Sequence, residues 1–146
     1  MTRYLLKLSG EALGGDAGIG IEPLVLKHYC DAIEAAVREG IQVAVVLCCG
    51  NLFRGEHCAQ AGMDRVVGDR MGMLSTVMNG LALNDFLQRR GIASRLFSAM
   101  PMAGMVEGYQ RDLAQTAIAN GEVVILTGGT GNPFFTTDTA ACLRGV

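Results

Sequence analysis

Four short runs of apolar and β-branched residues, YLLKL (4–8), IQVAVVL (41–47), IASRLF (92–97) and EVVILT (122–127), are separated by stretches with helical period. Each run is too short for a helix and mostly apolar on both faces, the pattern of strands buried in a parallel sheet. Between the first two, Pro23 to Glu39 places Leu24, Leu26, Tyr29, Ile33, Ala36 and Val37 on one broad face, with Pro23 suited to a first turn and Gly40 to a stop. The next helix is expected from about Asp64 to Arg90. Val67, Met71, Leu74, Met78 and Leu81 make one apolar face, and Met73, Val77 and Leu83 continue round the other side. A helix apolar on most of its circumference is buried on both sides, so this one is expected to face another subunit as well. A third helix is expected near Tyr109 to Asn120, ending before Gly121. Strand and helix alternating in this way predict an α/β fold with a mostly parallel, open sheet and helices on both faces.

The chain has 146 residues, enough for one domain that buries roughly 68–70% of the surface its unfolded form exposes. No linker, internal repeat or low-complexity tract divides it. Net charge is −2 with no basic block, which argues against a groove that tracks a nucleic-acid backbone. Lys7 and Glu11 interrupt the N-terminal segment, and no apolar run approaches the ~20 residues of a membrane span. A soluble cytoplasmic protein is expected, with no nucleic acid and no membrane among its partners. Its five cysteines, an odd number without a spaced framework, suit a reducing compartment better than a disulfide scaffold.

In open parallel sheets, ligands sit beyond the carboxyl ends of the strands. Here the first strand runs into KLSGEALGG, the second into CCGNLFRG and the last into TGGTGNPFFTTD. Bare backbone lets N–H groups converge on anionic oxygens, Lys7 and Arg54 add positive charge, and Ser9, Thr130, Thr136 and Thr137 offer hydroxyls. That is equipment for phosphate; the alternative is a set of ordinary turns between strands and helices. The sequence has no G-x-x-x-x-G-K-[ST], and neither GIGIEP nor GGTGNP completes G-x-G-x-x-G. Neither a P-loop NTPase nor a Rossmann dehydrogenase is therefore supported.

Together, LLKLSGEAL, GNLFRG, RVVGDRMGML…VMNGLAL and GTGNPFFTTDTAACLRG resemble the bacterial uridylate (UMP) kinases of the amino acid kinase family, over essentially the whole chain. The resemblance implies a three-layer α/β/α fold, assembly as a homohexamer, and phosphoryl transfer from ATP to UMP in pyrimidine nucleotide biosynthesis, with Mg²⁺ accompanying ATP. It also implies GTP as an activator and UTP as an inhibitor. By the same resemblance Lys7, Leu8, Ser9 and Gly10 meet the ATP phosphates, joined by Gly50 and Arg54 between the two nucleotides. Lys7, Arg54 and Asp138 form the catalytic set. Cys49, Asp69 and the stretch Thr130, Gly131, Asn132, Pro133, Phe134, Phe135, Thr136 and Thr137 hold UMP, Asp69 through the ribose hydroxyls. Gly15, Asp16, Ala17, Gly18, Ile19 and Gly20 correspond to the segment linked to GTP activation. Such an inventory suits phosphoryl transfer, which asks a protein for positioning and charge neutralisation and not for a nucleophilic side chain.

Plainer readings stand beside these. Lys7 in an apolar strand can snorkel to an edge, Arg54 can be a solvated loop residue, and Asp69 can pair with Arg65 or Arg70 along its helix. His28 reads as surface or interface, and the methionines as core or interface filler. The family carries three glycines where this chain has Cys48, Cys49 and Gly50. Adjacent cysteines lack the spacing for a zinc site with His57 and Cys58. Their Cα atoms, ~3.8 Å apart, fall below the usual ~4.4–6.8 Å of a disulfide. Cys49 is expected to intrude on space meant for nucleotide, with added strain if its position needs φ > 0.

The family continues past residue 146. The expectation is a single amino acid kinase domain over 1–146, its UMP-binding portion, with the C-terminal part of the fold missing. A non-catalytic UMP- or UTP-binding module, or one that assembles with other subunits, is the alternative.

Overall fold

The computed structural model describes residues 1–53 and 55–146. Among them, five strands, β1 (Arg3–Leu8), β2 (Gln42–Leu47), β3 (Ser94–Ser98), β4 (Glu107–Gly108) and β5 (Val123–Thr127), form one sheet in the order β1-β2-β5-β3-β4. Every neighbouring pair is parallel, with Leu8 opposite Leu47 and Val46 opposite Leu126. The helices are α1 (Gly10–Leu13), α2 (Pro23–Arg38), α3 (Gly55–Gln60), α4 (Arg65–Arg89), α5 (Arg111–Ala119) and α6 (Thr137–Arg144).

Side chains alternate across the pleat. Val43, Val45 and Leu47 of β2 face one way and join Val123 and Ile125 in a core closed by Leu26, Cys30 and Ile33 of α2 and Val77, Leu83 and Leu87 of α4. Ala44 and Val46 face the other way and join Val124, Leu126 and Phe97, closed by Ala117 and Ile118 of α5 with Ala141 of α6 packed alongside. Two separate cores on the two faces of one parallel sheet make the three-layer α/β/α arrangement. Pro23 takes the first turn of α2, where its missing N–H costs nothing. Gly40, at φ +76, carries the chain out.

Three expectations need correction. First, β1 is not buried on both faces: it is a sheet edge with Tyr4 51% and Leu6 38% exposed. Second, α4 is not covered on both sides by its own chain: its apolar stripe is left open, on the side where the sequence pattern leads to another subunit. Val67, Met71, Leu74 and Met78 are exposed, while the buried face carries Gly68, Gly72, Met73, Ser75, Thr76, Val77, Asn79 and Gly80. Small residues bring this helix close to the sheet: a Cβ on Gly80 would lie 2.5 Å from Thr127 Cγ2. Third, on α2 Leu24 is exposed and Cys30, absent from the expected face, is fully buried. The two-residue β4 and six-residue α3 show no period in the sequence. No helix among the described residues is long and apolar enough to cross a membrane.

Candidate functional site

The strand order places β1, β2 and β5 side by side, so the three loops singled out in the sequence leave the same edge of the sheet together. The first two touch through backbone. A Cβ on Gly10 would lie 2.4 Å from Gly50 N and 2.9 Å from Cys49 C, a separation that only glycine permits. Between α4 and the loops after β2 and β5 lies a cavity of about 280 Å³. Cys48, Cys49, Gly50 and Phe53 line one side and Gly68, Asp69, Gly72, Met73 and Thr76 the floor. Gly129, Thr130, Asn132, Phe135, Thr136 and Thr137 line the other side. A second cavity, of about 350 Å³, lies between α5, α6 and the start of β1, lined by Arg3, Tyr109, Arg111 and Arg144. None of the three glycine loops reaches it.

Polar side chains of α4 hold both walls. Asp69 Oδ2 accepts a 2.7 Å bond from the Phe134 N–H, while Oδ1 accepts from Arg65 Nε at 2.9 Å. Thr76 donates to the Met73 carbonyl at 2.6 Å and accepts from the Gly128 N–H at 2.7 Å. Gly128 has φ +77, and a Cβ there would meet Ser98 Oγ at 2.7 Å, so this sharp departure from β5 also requires glycine. Asn79 donates to the Cys48 carbonyl at 2.8 Å and exchanges amide hydrogen bonds with Asn51 at 2.8 and 2.9 Å. Sequence reasoning passed over Thr76 and Asn79. The available signal was three polar residues, Ser75, Thr76 and Asn79, set in an otherwise apolar helical stretch.

At the cavity mouth Lys7 Nζ pairs with Asp138 Oδ1 at 2.9 Å. The hydrogen bond to Asp138, with the nearby Cys48 sulfur second, raises the Lys7 ammonium above its ordinary 10.5. Lys7 therefore stays cationic throughout the neutral range. Cys48 Sγ lies 2.8 Å from Thr137 Oγ1, so Cys48, Lys7, Thr137 and Asp138 form one cluster across the ends of β1, β2 and the start of α6. Cys49 turns its sulfur towards Gly72, where a Cβ would lie 3.4 Å from it, and burial pushes its thiol up. The expected strain is absent, because among the described residues Phe134, at φ +67, is the only non-glycine with positive φ.

Of the residues implicated from sequence, Cys49, Gly50, Asp69, Thr130, Asn132, Phe135, Thr136 and Thr137 line the cavity. Lys7 and Asp138 stand beside it, and Leu8, Ser9 and Gly10 lead from β1 to the Gly50 contact. Gly131 and Pro133 are not part of the lining, a Cβ on Gly131 meeting Ala99 at 3.3 Å, and Phe134 is exposed with the Arg65 guanidinium 5.5 Å over its ring. Arg54 lies outside the described residues. Asp16, Ala17, Gly18 and Ile19 sit away from the cavity lining in the segment that starts with a 3₁₀ turn, Gly15–Ala17. That segment is tied to the site through Gly20, which bonds Asn51.

The sequence profile of the amino acid kinase family matches residues 2–146. A curated uridylate kinase of Alcanivorax borkumensis is 59% identical over 145 residues, covering 99% of this chain and 58% of its own length. The crystal structure of a UMP kinase from Ureaplasma parvum superposes with a TM-score of 0.93 at 32% identity, covering 99% of this chain and 63% of its own. That of a UMP kinase from Bacillus anthracis gives 0.94 at 36%, covering 99% and 59%. The chain thus spans under two thirds of the length of the relatives it matches.

Proposed function

The chain belongs to the amino acid kinase family, and from that premise we propose that it binds UMP in the cavity at the ends of β1, β2 and β5 and serves transfer of the ATP γ-phosphoryl group to UMP. The observation that carries this reading is one cavity of about 280 Å³ lined by the glycine-bearing loops after β2 and β5 and by the Asp69 carboxylate, with the Lys7–Asp138 pair beside it.

A UMP phosphate oxygen attacks the γ-phosphorus of ATP, a new P–O bond forms, the bond to the bridging β–γ oxygen breaks, and ADP leaves. The attacking oxygen is already anionic, so no base is required. What the protein supplies is alignment and neutralisation of charge on the transferring group. Lys7, steadied by Asp138 at 2.9 Å, supplies positive charge for that group, a role Arg54 shares by the family resemblance, while Ser9, Gly10 and Gly50 offer backbone to the donor phosphates. Asp69 accepts from the ribose hydroxyls, and Thr130 to Thr137 wrap the uracil and its phosphate.

Mg²⁺ fits as a companion of the nucleotide and not as a resident ion. Among the described residues no three His, Cys, Asp or Glu side chains gather to hold one. Asp138, whose Oδ1 bonds Lys7, is the carboxylate at the mouth that would share it with the phosphates. When bound it would neutralise phosphate charge.

Regulation by GTP through the Gly15 to Gly20 segment, inhibition by UTP, a cytoplasmic setting and a homohexamer belong to the same reading. Calorimetric titration with UMP tests the cavity, and UDP formation at saturating UMP and Mg–ATP tests the chemistry. A non-catalytic module that assembles with other subunits is the second reading, favoured by the exposed stripe on α4. It predicts UMP binding or association without UDP formation.

A further inference from the structure

Asn51 and Asn79 are 3% and 0% exposed, and together they leave no amide hydrogen-bonding group idle. Asn51 Nδ2 donates to Asn79 Oδ1 at 2.9 Å and to the Gly20 carbonyl at 2.8 Å. Asn79 Nδ2 donates to Asn51 Oδ1 at 2.8 Å and to the Cys48 carbonyl at 2.8 Å. The Gly20 N–H in turn donates to the Asn51 carbonyl at 2.9 Å. Four N–H donors and two carbonyl oxygens are thereby matched, and turning either amide over would set donor against donor. A buried network of this kind is rigid when complete and costly when one member is lost.

Its three attachment points are a helix, the loop after β2 that lines the cavity, and the last residue of the Gly15 to Gly20 segment. The cavity lining reaches Cys48, Cys49 and Gly50, while Gly20 stands outside it. From this arrangement we propose that Asn79, acting through Asn51, is a positioning residue that couples the Gly15 to Gly20 segment to the nucleotide-facing loop. The proposal rests on the UMP reading for its ligand, but not for its geometry. Coupling of this sort is reciprocal: a ligand that orders the loop also orders the segment, and anything that holds the segment strengthens binding at the loop.

The test is amide hydrogen exchange, read residue by residue by NMR, on the whole chain with and without UMP. Three variants are compared: Asn79→Ala; Asn79→Asp, which keeps size and shape but has no donor for Cys48 or Asn51; and Leu83→Ala. The last removes a fully buried side chain from the same helix without touching either amide. In the unmodified chain UMP should slow exchange at Gly20 N–H by a factor of about 5 to 150, the usual span of such couplings. Leu83→Ala should keep that protection, and both Asn79 variants should lose it while amides in β2 and β5 stay slow. Equal protection of Gly20 in the Asn79 variants overturns the coupling. If the unmodified chain binds no UMP, the ligand reading fails and the coupling is judged without ligand. Faster Gly20 exchange in Asn79→Asp than in Leu83→Ala, relative to the strands, then supports it, and equal exchange overturns it.

Discussion

Asp69, near the start of α4, and Phe134, 65 residues later, are joined by a 2.7 Å hydrogen bond from the Phe134 N–H to the Asp69 carboxylate. Phe134 has φ +67, a conformation a bulky residue holds only when its surroundings insist. The bond and the Arg65 guanidinium over the ring are those surroundings. Asp69 therefore shapes the Thr130 to Thr137 wall whether or not a nucleotide is present.

Asp69→Asn keeps an oxygen for the Phe134 N–H and removes the charge. Its fold should hold, and UMP affinity should fall by the ~1.5–3 kcal/mol of a charge-assisted bond, about 10- to 150-fold. Asp69→Ala loses the latch as well, and stability should drop by a further ~0.5–1.5 kcal/mol. Calorimetry and urea unfolding read the two effects separately. Undiminished UMP binding by Asp69→Asn removes the carboxylate from the ribose.

Much of this was legible in the chain. Short apolar runs gave four of the five described strands within two residues of their ends, and of the three glycine loops singled out those after β2 and β5 line the cavity. For α4 the hydrophobic period showed two apolar sides but not which of them the chain itself covers. Close approach to the sheet at Gly80 instead selected small residues for the buried face, and Thr76 and Asn79 are buried because each finds backbone partners. The bonds to Gly128 and Cys48 join residues 52 and 31 positions apart and leave no periodic trace. The exposure of β1 follows from its place in the sheet order, which local pattern does not carry.

Gly10 and Gly68 should respond to alanine with opposite sign. A methyl on Gly10 collides with backbone at Gly50, 2.4 Å away, and backbone cannot rotate aside, so Gly10→Ala should cost about 1–3 kcal/mol. On Gly68 the nearest neighbour would be Met63 Sδ at 4.0 Å, in a helical conformation alanine prefers. Gly68→Ala should gain about 0.4–1 kcal/mol. Denaturant midpoints decide, and a tolerated Gly10→Ala would mean that the two loops can separate freely.

Cys48 and Cys49 have ordinary backbone angles, so glycine there relieves nothing. The double change Cys48→Gly, Cys49→Gly should lower stability by about 1–2 kcal/mol through the looser unfolded chain, before counting the sulfur lost from beside Gly72. A gain in unfolding free energy would reveal strain at this bend.

Burial raises the Cys49 thiol above its ordinary 9.0, with the neighbouring Cys48 adding to the shift. A raised value means the native state keeps its proton to higher pH, and the thiolate is the form that reacts. Iodoacetamide should therefore label Cys49 only once pH climbs above the ordinary thiol value of 9.0. The same sign makes native stability fall as pH climbs past 9.0 towards the folded value. Peptide mass spectrometry across pH 7–11 follows the labelling, and modification of Cys49 below pH 9 would show that it is not shielded.

The outward stripe of α4 yields the last prediction. Val67, Met71, Leu74 and Met78, 45%, 38%, 46% and 55% exposed, follow one another at four, three and four residues, the spacing of a helix seam. A lone exposed apolar residue needs no explanation, whereas four in register on a long helix form the kind of patch that marks an association surface. If two copies meet there, Leu74→Arg places a cation where water is excluded, at a cost of several kcal/mol, and the assembly should come apart. On a monomer the same change touches only solvent and should move stability by no more than ~0.5 kcal/mol. Sedimentation velocity at matched concentrations distinguishes the cases. The unmodified chain should run as an oligomer and Leu74→Arg as a monomer with an unchanged circular dichroism spectrum. A monomeric unmodified chain, or an oligomer indifferent to Leu74→Arg, would place the subunit contact elsewhere and leave the stripe unexplained.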